Sequence, residues 1–150
     1  MRESPPAEPP KKAKLWLGLT VGWLAQLGLK TIVPLLVLVG FSFLSRQSEN
    51  PGRWLEAPFD SSHPLWYALQ LSIGLSSFCA GALGGFLSGG RYRALAFGLA
   101  LLSLLTTFFE QFPLHASTVT LLIWTFGPCV GVVAGVAFSR FGQRWRVHRQ

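Results

Sequence analysis

Four long apolar segments, separated by short polar stretches, set the pattern of this chain. The second segment follows Asp60, Ser61 and Ser62, which supply capping oxygens, and begins at Pro64, a residue suited to a first helical turn. Each segment can form a helix that crosses about 30 Å of hydrocarbon. The pattern predicts an all-α integral membrane bundle of four transmembrane helices in two hairpins. The predicted spans are residues 29–45, 64–88, 94–112 and 118–139.

The first apolar segment, residues 15–45, is too long for one straight span. As a helix it would extend about 46 Å, against roughly 30 Å of hydrocarbon. Gly28, Lys30 and Pro34 are positions at which a helix breaks or bends. The favoured interpretation lays the first half along the cytoplasmic interface as a separate helix and lets Lys30 snorkel to the headgroups. The alternative is a single long, kinked helix that carries Lys30 within the membrane.

Small residues four positions apart line one face of the second and fourth segments. Such faces let helix backbones approach closely in a bilayer, so they predict a tight contact, either inside one chain or across a homodimer axis. The second stripe repeats the first at an offset of fifty residues, and Cys79 and Cys129 share that offset, which indicates an internal duplication. The two stripes are Ser77, Gly81, Gly85 and Gly89, and Gly127, Gly131, Gly135 and Ser139.

Charge predicts the orientation of the chain. Ten of the thirteen Lys and Arg residues lie in the amino tail, between the second and third segments, or in the carboxyl tail. The positive-inside rule therefore places both termini in the cytoplasm. Residues 1–14 are predicted to be a disordered cytoplasmic tail and residues 141–150 a basic cytoplasmic tail, which leaves 15–140 as the membrane domain.

Composition supports lipid as the solvent. The chain is 50% hydrophobic and 13% charged, whereas soluble domains are about a quarter charged. A net charge of +7 would indicate nucleic-acid binding in a soluble protein. Here the basic residues flank apolar segments, so the lipid bilayer and its anionic headgroups are the predicted partners, and no nucleic acid is expected.

Few polar side chains lie inside the apolar segments. Thr20, Trp23, Gln26 and Lys30 form a polar stripe along the first one. A charge in a membrane segment is a functional hypothesis by default, although snorkelling is the simpler role for Lys30. The candidate residues for lipid binding or a transport path are Gln26, Lys30, Arg91, Arg93, Arg140 and Arg144.

No catalytic or metal-binding pattern is visible. The serines of the apolar segments lack a nearby His or Lys base, and no span contains a pair of carboxylates. His63, Glu110 and His115 lie near predicted span ends without ligand spacing, so no metal and no cofactor is predicted. Cys79 and Cys129 are interpreted as small packing residues without a disulfide. The chain is therefore expected to be non-enzymatic.

The glycine-rich ends of the two hairpins carry a resemblance. The runs SSFCAGALGGFLSGGRYR and GPCVGVVAGVAFSRFGQR resemble a loose class of small four-span bacterial membrane proteins of unassigned function, over residues 70–142. The resemblance implies a four-helix fold in a bacterial cytoplasmic membrane and no activity. Small multidrug-resistance transporters carry a glutamate in the first span, where this chain has Lys30 and no acid. Fluoride channels depend on asparagine within their helices, but Asn50 lies in a loop.

These patterns favour one function and leave two alternatives. The expected function is a non-enzymatic scaffold or accessory subunit of the inner membrane that docks helices through its glycine stripes. It would act as a homo-oligomer or with another membrane protein. The alternatives are a small dimeric transporter or channel, and a membrane protein that interacts with anionic lipids.

Overall fold

The computed structural model describes residues 11–45, 64–109 and 118–147, which form four helices. A tight turn joins the second helix to the third. Gly89 and Gly90 make the turn between the second and third helices, with φ of +62° and +94° in the left-handed region that favours glycine. No strand occurs within the described ranges. The helices are α1 (Lys11–Ser45), α2 (Pro64–Leu87), α3 (Tyr92–Phe109) and α4 (Thr118–Val147).

The helices alternate in direction along the chain. As residue numbers rise along α2, those of the contacting residues fall along α1 and rise along α4, so α2 is antiparallel to α1 and parallel to α4. α3 is antiparallel to α4. For α2 and α1 the contacts are Gly84 with Gly18 and Ser76 with Leu29. For α2 and α4 they are Gly81 with Val132 and Gly85 with Ser139. For α3 and α4 they are Tyr92 with Gln143 and Ala100 with Cys129.

One end of the bundle collects three basic segments. The alternating directions bring together the amino end of α1, the α2–α3 turn and the carboxyl half of α4. A Cβ added at Gly89 would lie 3.0 Å from the Lys14 side chain, and the hydroxyl of Tyr92 donates to Oε1 of Gln143. We call this the basic end, defined by Lys12, Lys14, Arg91, Arg93 and Arg140.

Three of the four helices are long and apolar enough to cross a membrane. These stretches are Lys12–Phe43, Pro64–Leu87 and Thr118–Gln143, whereas α3 is a shorter apolar helix. These lengths and compositions are consistent with a multi-pass membrane protein.

α1 is continuous where the sequence analysis favoured two separate helices. The structure has one unbroken helix of 35 residues through Gly28, Lys30 and Pro34, rather than an interfacial helix followed by a separate span. Packing explains the difference, because Gly18 and Gly22 fit closely against α2 and hold the first half of α1 in the bundle. The single long helix, which the sequence left as the alternative, is the observed arrangement.

The helix ends also differ from those predicted. α1 begins at Lys11, inside the predicted tail 1–14, and residues 1–10 lie outside the described part of the chain. α4 continues to Val147, through most of the predicted basic tail. Gln143 accounts for this continuation, because Tyr92 donates to its side chain and its Nε2 donates to the carbonyl of Phe86 at 3.3 Å. The predicted end of the third span, residues 110–112, lies outside the described ranges.

Candidate functional site

The glycine stripes of α2 and α4 contact each other within one chain. A Cβ added at Gly81 would overlap the carbonyl of Val132, and one at Gly135 would overlap the carbonyl of Phe78. Only glycine allows two backbones to approach this closely. Three further contacts belong to the same interface, namely Gly85 with Ser139, Gly131 with Ser77, and Gly131 with Gly74.

Two members of the predicted stripes lie elsewhere. A Cβ added at Gly127 would have no atom within 4 Å, so this glycine faces open space. Gly89 belongs to the turn after α2 and lies against Lys14. The close α2–α4 contact therefore uses three of the four members of each stripe and leaves out Gly89 and Gly127.

A second small-residue contact joins α1 to α2, and the sequence analysis missed it. A Cβ added at Gly18 would lie 2.7 Å from the carbonyl oxygen of Gly84 and 3.2 Å from the Cα of Ser88. One added at Gly22 would lie 3.3 Å from the carbonyl oxygen of Ala80. The four-residue spacing of both sets was a readable signal. α2 thus presents two small-residue faces, one to α1 and the other to α4.

A buried polar cluster continues the α1 face one turn further. Gln26 follows Gly22 at the same spacing and is 1% exposed. Its Nε2 donates to Oγ of Ser103 at 2.6 Å and lies 3.5 Å from Oγ of Ser77. We call Gln26, Ser77 and Ser103 the polar cluster. It connects α1, α2 and α3, and Ser77 also touches α4 through Gly131.

The polar cluster has unused hydrogen-bonding capacity. Oε1 of Gln26 is buried without a hydrogen-bond partner in the described part of the chain, and so is Nε1 of Trp23 three residues earlier. If the amide were turned by 180°, Nε2 would be the atom without a hydrogen-bond partner in place of Oε1. A buried polar group without a partner costs about 1–3 kcal/mol. This α1 face therefore carries a buried polar atom whose hydrogen-bonding capacity the described helices leave unused.

Lys30 lies toward the middle of α1, at the level of the middle of α2. It is half-buried, and the carbonyl of neighbouring Leu29 accepts a hydrogen bond from Ser76, near the middle of α2, at 3.3 Å. The sixteen residues from Lys14 to Lys30 correspond to about 24 Å along α1. Lys30 therefore lies well away from the basic end.

The predicted arginines lie at or near the basic end. Arg91 is exposed in the α2–α3 turn. Arg93 and Arg140 are both exposed and line one groove between α3 and α4. Arg144 lies in the last turns of α4, and its side chain is outside the described part of the structure. The structure thus brings together Arg93 and Arg140 from different helices.

The other candidate chemistry remains dispersed. Cys79 is an exposed free thiol and Cys129 a buried one. Among the described residues, no three His, Cys, Asp or Glu side chains form a group able to hold a metal. His63, Glu110 and His115, which the sequence analysis considered as ligands, lie outside those residues.

Comparison of the chain with protein-family models, curated proteins and solved structures finds no match. The functional argument therefore depends on the geometry of the helices, their small-residue contacts and their charges.

The role of Gln26 as an interhelical contact can be measured by two substitutions. Gln26→Leu keeps most of the side-chain volume. It loses interhelical hydrogen bonds, each worth about 0.6 kcal/mol on average in membrane bundles, but it also removes the unpartnered Oε1. We expect its unfolding free energy in detergent to stay within about 1 kcal/mol of the parent. Gln26→Ala should cost about 2 kcal/mol or more, because it leaves a cavity. Equal losses in the two variants would contradict this account.

Proposed function

We propose that this chain is a non-enzymatic scaffold or accessory subunit of the bacterial cytoplasmic membrane, with four spans and both termini in the cytoplasm. The observation that carries the proposal is the closed interior of the bundle. α2 contacts α4 through Gly81 and Gly135, and contacts α1 through Gly18 and Gly84, at backbone distance. Such contacts favour a rigid helical module over a molecule that conducts along these interfaces.

Two observations support the proposed four-span topology, the length of α3 and the basic end. With 18 residues, α3 measures about 27 Å, which is close to the thickness of the hydrocarbon layer. The positive-inside rule assigns the basic end to the cytoplasm. The antiparallel and parallel contacts described above then bring the amino end of α1 and the carboxyl end of α4 to that side.

The partner surface is assigned to α1, because the glycine stripes of α2 and α4 are already in contact with each other. α1 is the least covered of the helices long enough to span a membrane, and Ile32 and Leu36 are 56% and 63% exposed. Gly28 lies four residues before Ile32, and Gly40 lies four residues after Leu36. A Cβ added at either glycine would have no atom within 4 Å. A helix of a second copy or of another membrane protein can approach closely here.

A transporter or channel is the second candidate function, and the polar cluster favours it. Oε1 of Gln26 has no partner among the described residues, and Lys30 lies one turn further along α1. In a transport mechanism these groups would line the path of a polar or anionic species. The two candidates differ in whether water reaches Gln26.

Thiol accessibility separates the two functions. Single cysteines are placed in a variant lacking Cys79 and Cys129, and sealed vesicles of each orientation receive a membrane-impermeant thiol reagent. For a scaffold, we expect no labelling of the polar cluster from either side, at Gln26, Ser77 or Ser103. Labelling of these three positions, with none at the outward-facing Leu24, Leu75 and Leu101, would overturn the scaffold proposal and support a water-filled path.

The same experiment tests the topology. Cysteines replacing Lys12, Arg91 and Arg140, all exposed at the basic end, should react from the cytoplasmic side alone. Reaction of position 140 from the side opposite to position 91 would contradict the four-span arrangement, because α3 and α4 lie between them. Reaction of all three from the outside would reverse the assigned orientation.

A further inference from the structure

A groove between α3 and α4 opens at the basic end and combines positive charge with an apolar floor. Its volume is about 250 Å³. Arg93 on α3 and Arg140 on α4 contribute the charge, while Ala96, Val133 and Ala137 contribute the floor. The α4 positions recur at helical spacing, so a single face of that helix lines the groove.

The polar part of the groove has the chemistry of an anion site. Both guanidinium groups are exposed, and no Asp or Glu lies within the described residues 11–45, 64–109 and 118–147. Paired guanidinium groups are well suited to phosphate oxygens, to which each can donate two hydrogen bonds.

The amino end of α3 adds to this positive potential. Tyr92 and Arg93, in its first turn, line the groove, and that turn contains no acidic residue. The helix dipole favours an anion at this point.

The apolar part of the groove distinguishes a lipid from a soluble phosphate. Val133 and Ala137 extend along α4 from Arg140 toward the middle of the helix, so an acyl chain attached to a phosphate at the arginines would lie on them. The volume is below the roughly 300–1,000 Å³ of sites that enclose drug-sized ligands. It suits a headgroup and the first part of one chain, with the remainder in the bilayer.

We propose that the α3–α4 groove binds an anionic phospholipid, with its phosphate on Arg93 and Arg140 and one acyl chain along Val133 and Ala137. The inference rests on the membrane insertion put forward under the proposed function and assigns a lipid class to one face of that module. It concerns neither the polar cluster nor the partner surface of α1.

Native mass spectrometry of the full chain in a neutral detergent tests the site at about 0.15 M salt, where charges more than about 8 Å apart are screened. We expect phosphatidylglycerol to be retained in preference to phosphatidylcholine of the same chain length. Arg93→Gln with Arg140→Gln should weaken phosphatidylglycerol binding about tenfold, or ~1.4 kcal/mol. Lys12→Gln with Arg91→Gln removes equal charge from the same end outside the groove, and should change binding less than about threefold.

Two further binding measurements identify the ligand class. Ala137→Phe fills the apolar floor without changing charge, and it should weaken phosphatidylglycerol binding by a similar factor. Glycerol phosphate, a soluble headgroup analogue, should not displace the lipid at equal concentration. Equal losses in the two charge variants would overturn the site in favour of general electrostatic attraction. Unchanged binding in Ala137→Phe, or displacement by glycerol phosphate, would overturn the lipid assignment.

Membrane extraction keeps the two proposals separate. Membranes that contain the parent chain or a variant are washed with alkaline carbonate, and the protein that stays in the membrane is measured. The helicity of each variant is measured by circular dichroism. A parent chain that carbonate releases would contradict the proposed membrane function. A parent chain that stays in the membrane but shows no preference for phosphatidylglycerol would contradict the lipid site alone.

Discussion

Gly135→Ala is expected to destabilise the bundle by about 2–3 kcal/mol, the upper part of the usual range for overpacking. The added Cβ would overlap the carbonyl of Phe78 and lie 2.7 Å from the backbone nitrogen of Ala82. These are backbone atoms, so no side-chain rotation relieves the clash and α2 must move away from α4. Gly81→Ala, which meets the carbonyl of Val132, should behave in the same way. Unfolding in mild detergent, followed by circular dichroism, measures the effect.

Gly127→Ala is the matched control on the same helix. Its Cβ would have no atom within 4 Å, and alanine favours a helix over glycine by up to about 1 kcal/mol. We therefore expect this variant to be as stable as the parent or more stable. Gly74→Ala is the control for Gly81→Ala on α2, because a Cβ added at Gly74 would also have no atom within 4 Å. Equal stability of Gly135→Ala and Gly127→Ala would contradict the close α2–α4 contact.

Cysteines at positions 77 and 131 should form a disulfide within one chain, in near-complete yield under mild oxidation. A Cβ added at Gly131 would lie 3.0 Å from the Cβ of Ser77 and 2.7 Å from the carbonyl oxygen of Gly74. Disulfides prefer a Cβ–Cβ distance of about 3.5–4.5 Å, so the outward shift of α4 that relieves the contact with Gly74 also brings the two Cβ atoms toward the preferred range. The test uses Ser77→Cys with Gly131→Cys in a variant lacking Cys79 and Cys129, with a protease site inserted in residues 110–117. After cleavage, the two pieces should stay joined until a reductant is added.

The control for this cross-link places the second cysteine at position 127, one turn before position 131. Ser77→Cys with Gly127→Cys should give little cross-linking, because position 127 faces open space. A band at twice the mass of the chain in the Ser77–Gly131 pair would show that the stripes meet between two copies. That outcome would replace the observed intrachain contact with the homodimer axis that the sequence also allowed.

The α2–α4 contact changes what the glycine stripes mean for function. Small residues at membrane helix contacts serve packing inside a chain as well as association between chains, and the spacing alone does not distinguish them. Here Gly81, Gly85, Gly131 and Gly135 contact the opposite helix of the same chain. The proposed partner surface is therefore on α1, and the proposed lipid site is the α3–α4 groove.

Several features were predictable because they depend on local sequence. The all-helical class and the approximate limits of α2 followed from apolar length and from Pro64, and the structure has α2 at Pro64–Leu87. Gly89 and Gly90 form the turn after α2 and adopt the positive φ that ends a helix, a local property of glycine. The candidate residues Arg93 and Arg140 could be identified from charge alone, but not their shared groove.

The course of α1 shows why other features were not predictable. Gly28, Lys30 and Pro34 are local signals for a break, and they indicated an interfacial helix. The break does not occur, because Gly18 and Gly22 meet the small-residue face of α2 and the contact holds the helix in the bundle. Local propensity is worth about 1 kcal/mol for a glycine, and packing along a whole helix exceeds it.

The sequence by itself determined where helices form, which of them suit a bilayer, and which segments carry the positive charge, because apolar length, proline, glycine and charge act within one or two turns. Only the tertiary structure decided that Gln26 is buried against Ser103, that α2 has two small-residue faces, and that Arg93 and Arg140 share a groove. Each of these depends on which helix face meets which neighbour. That choice comes from the backbone contacts of all four helices together.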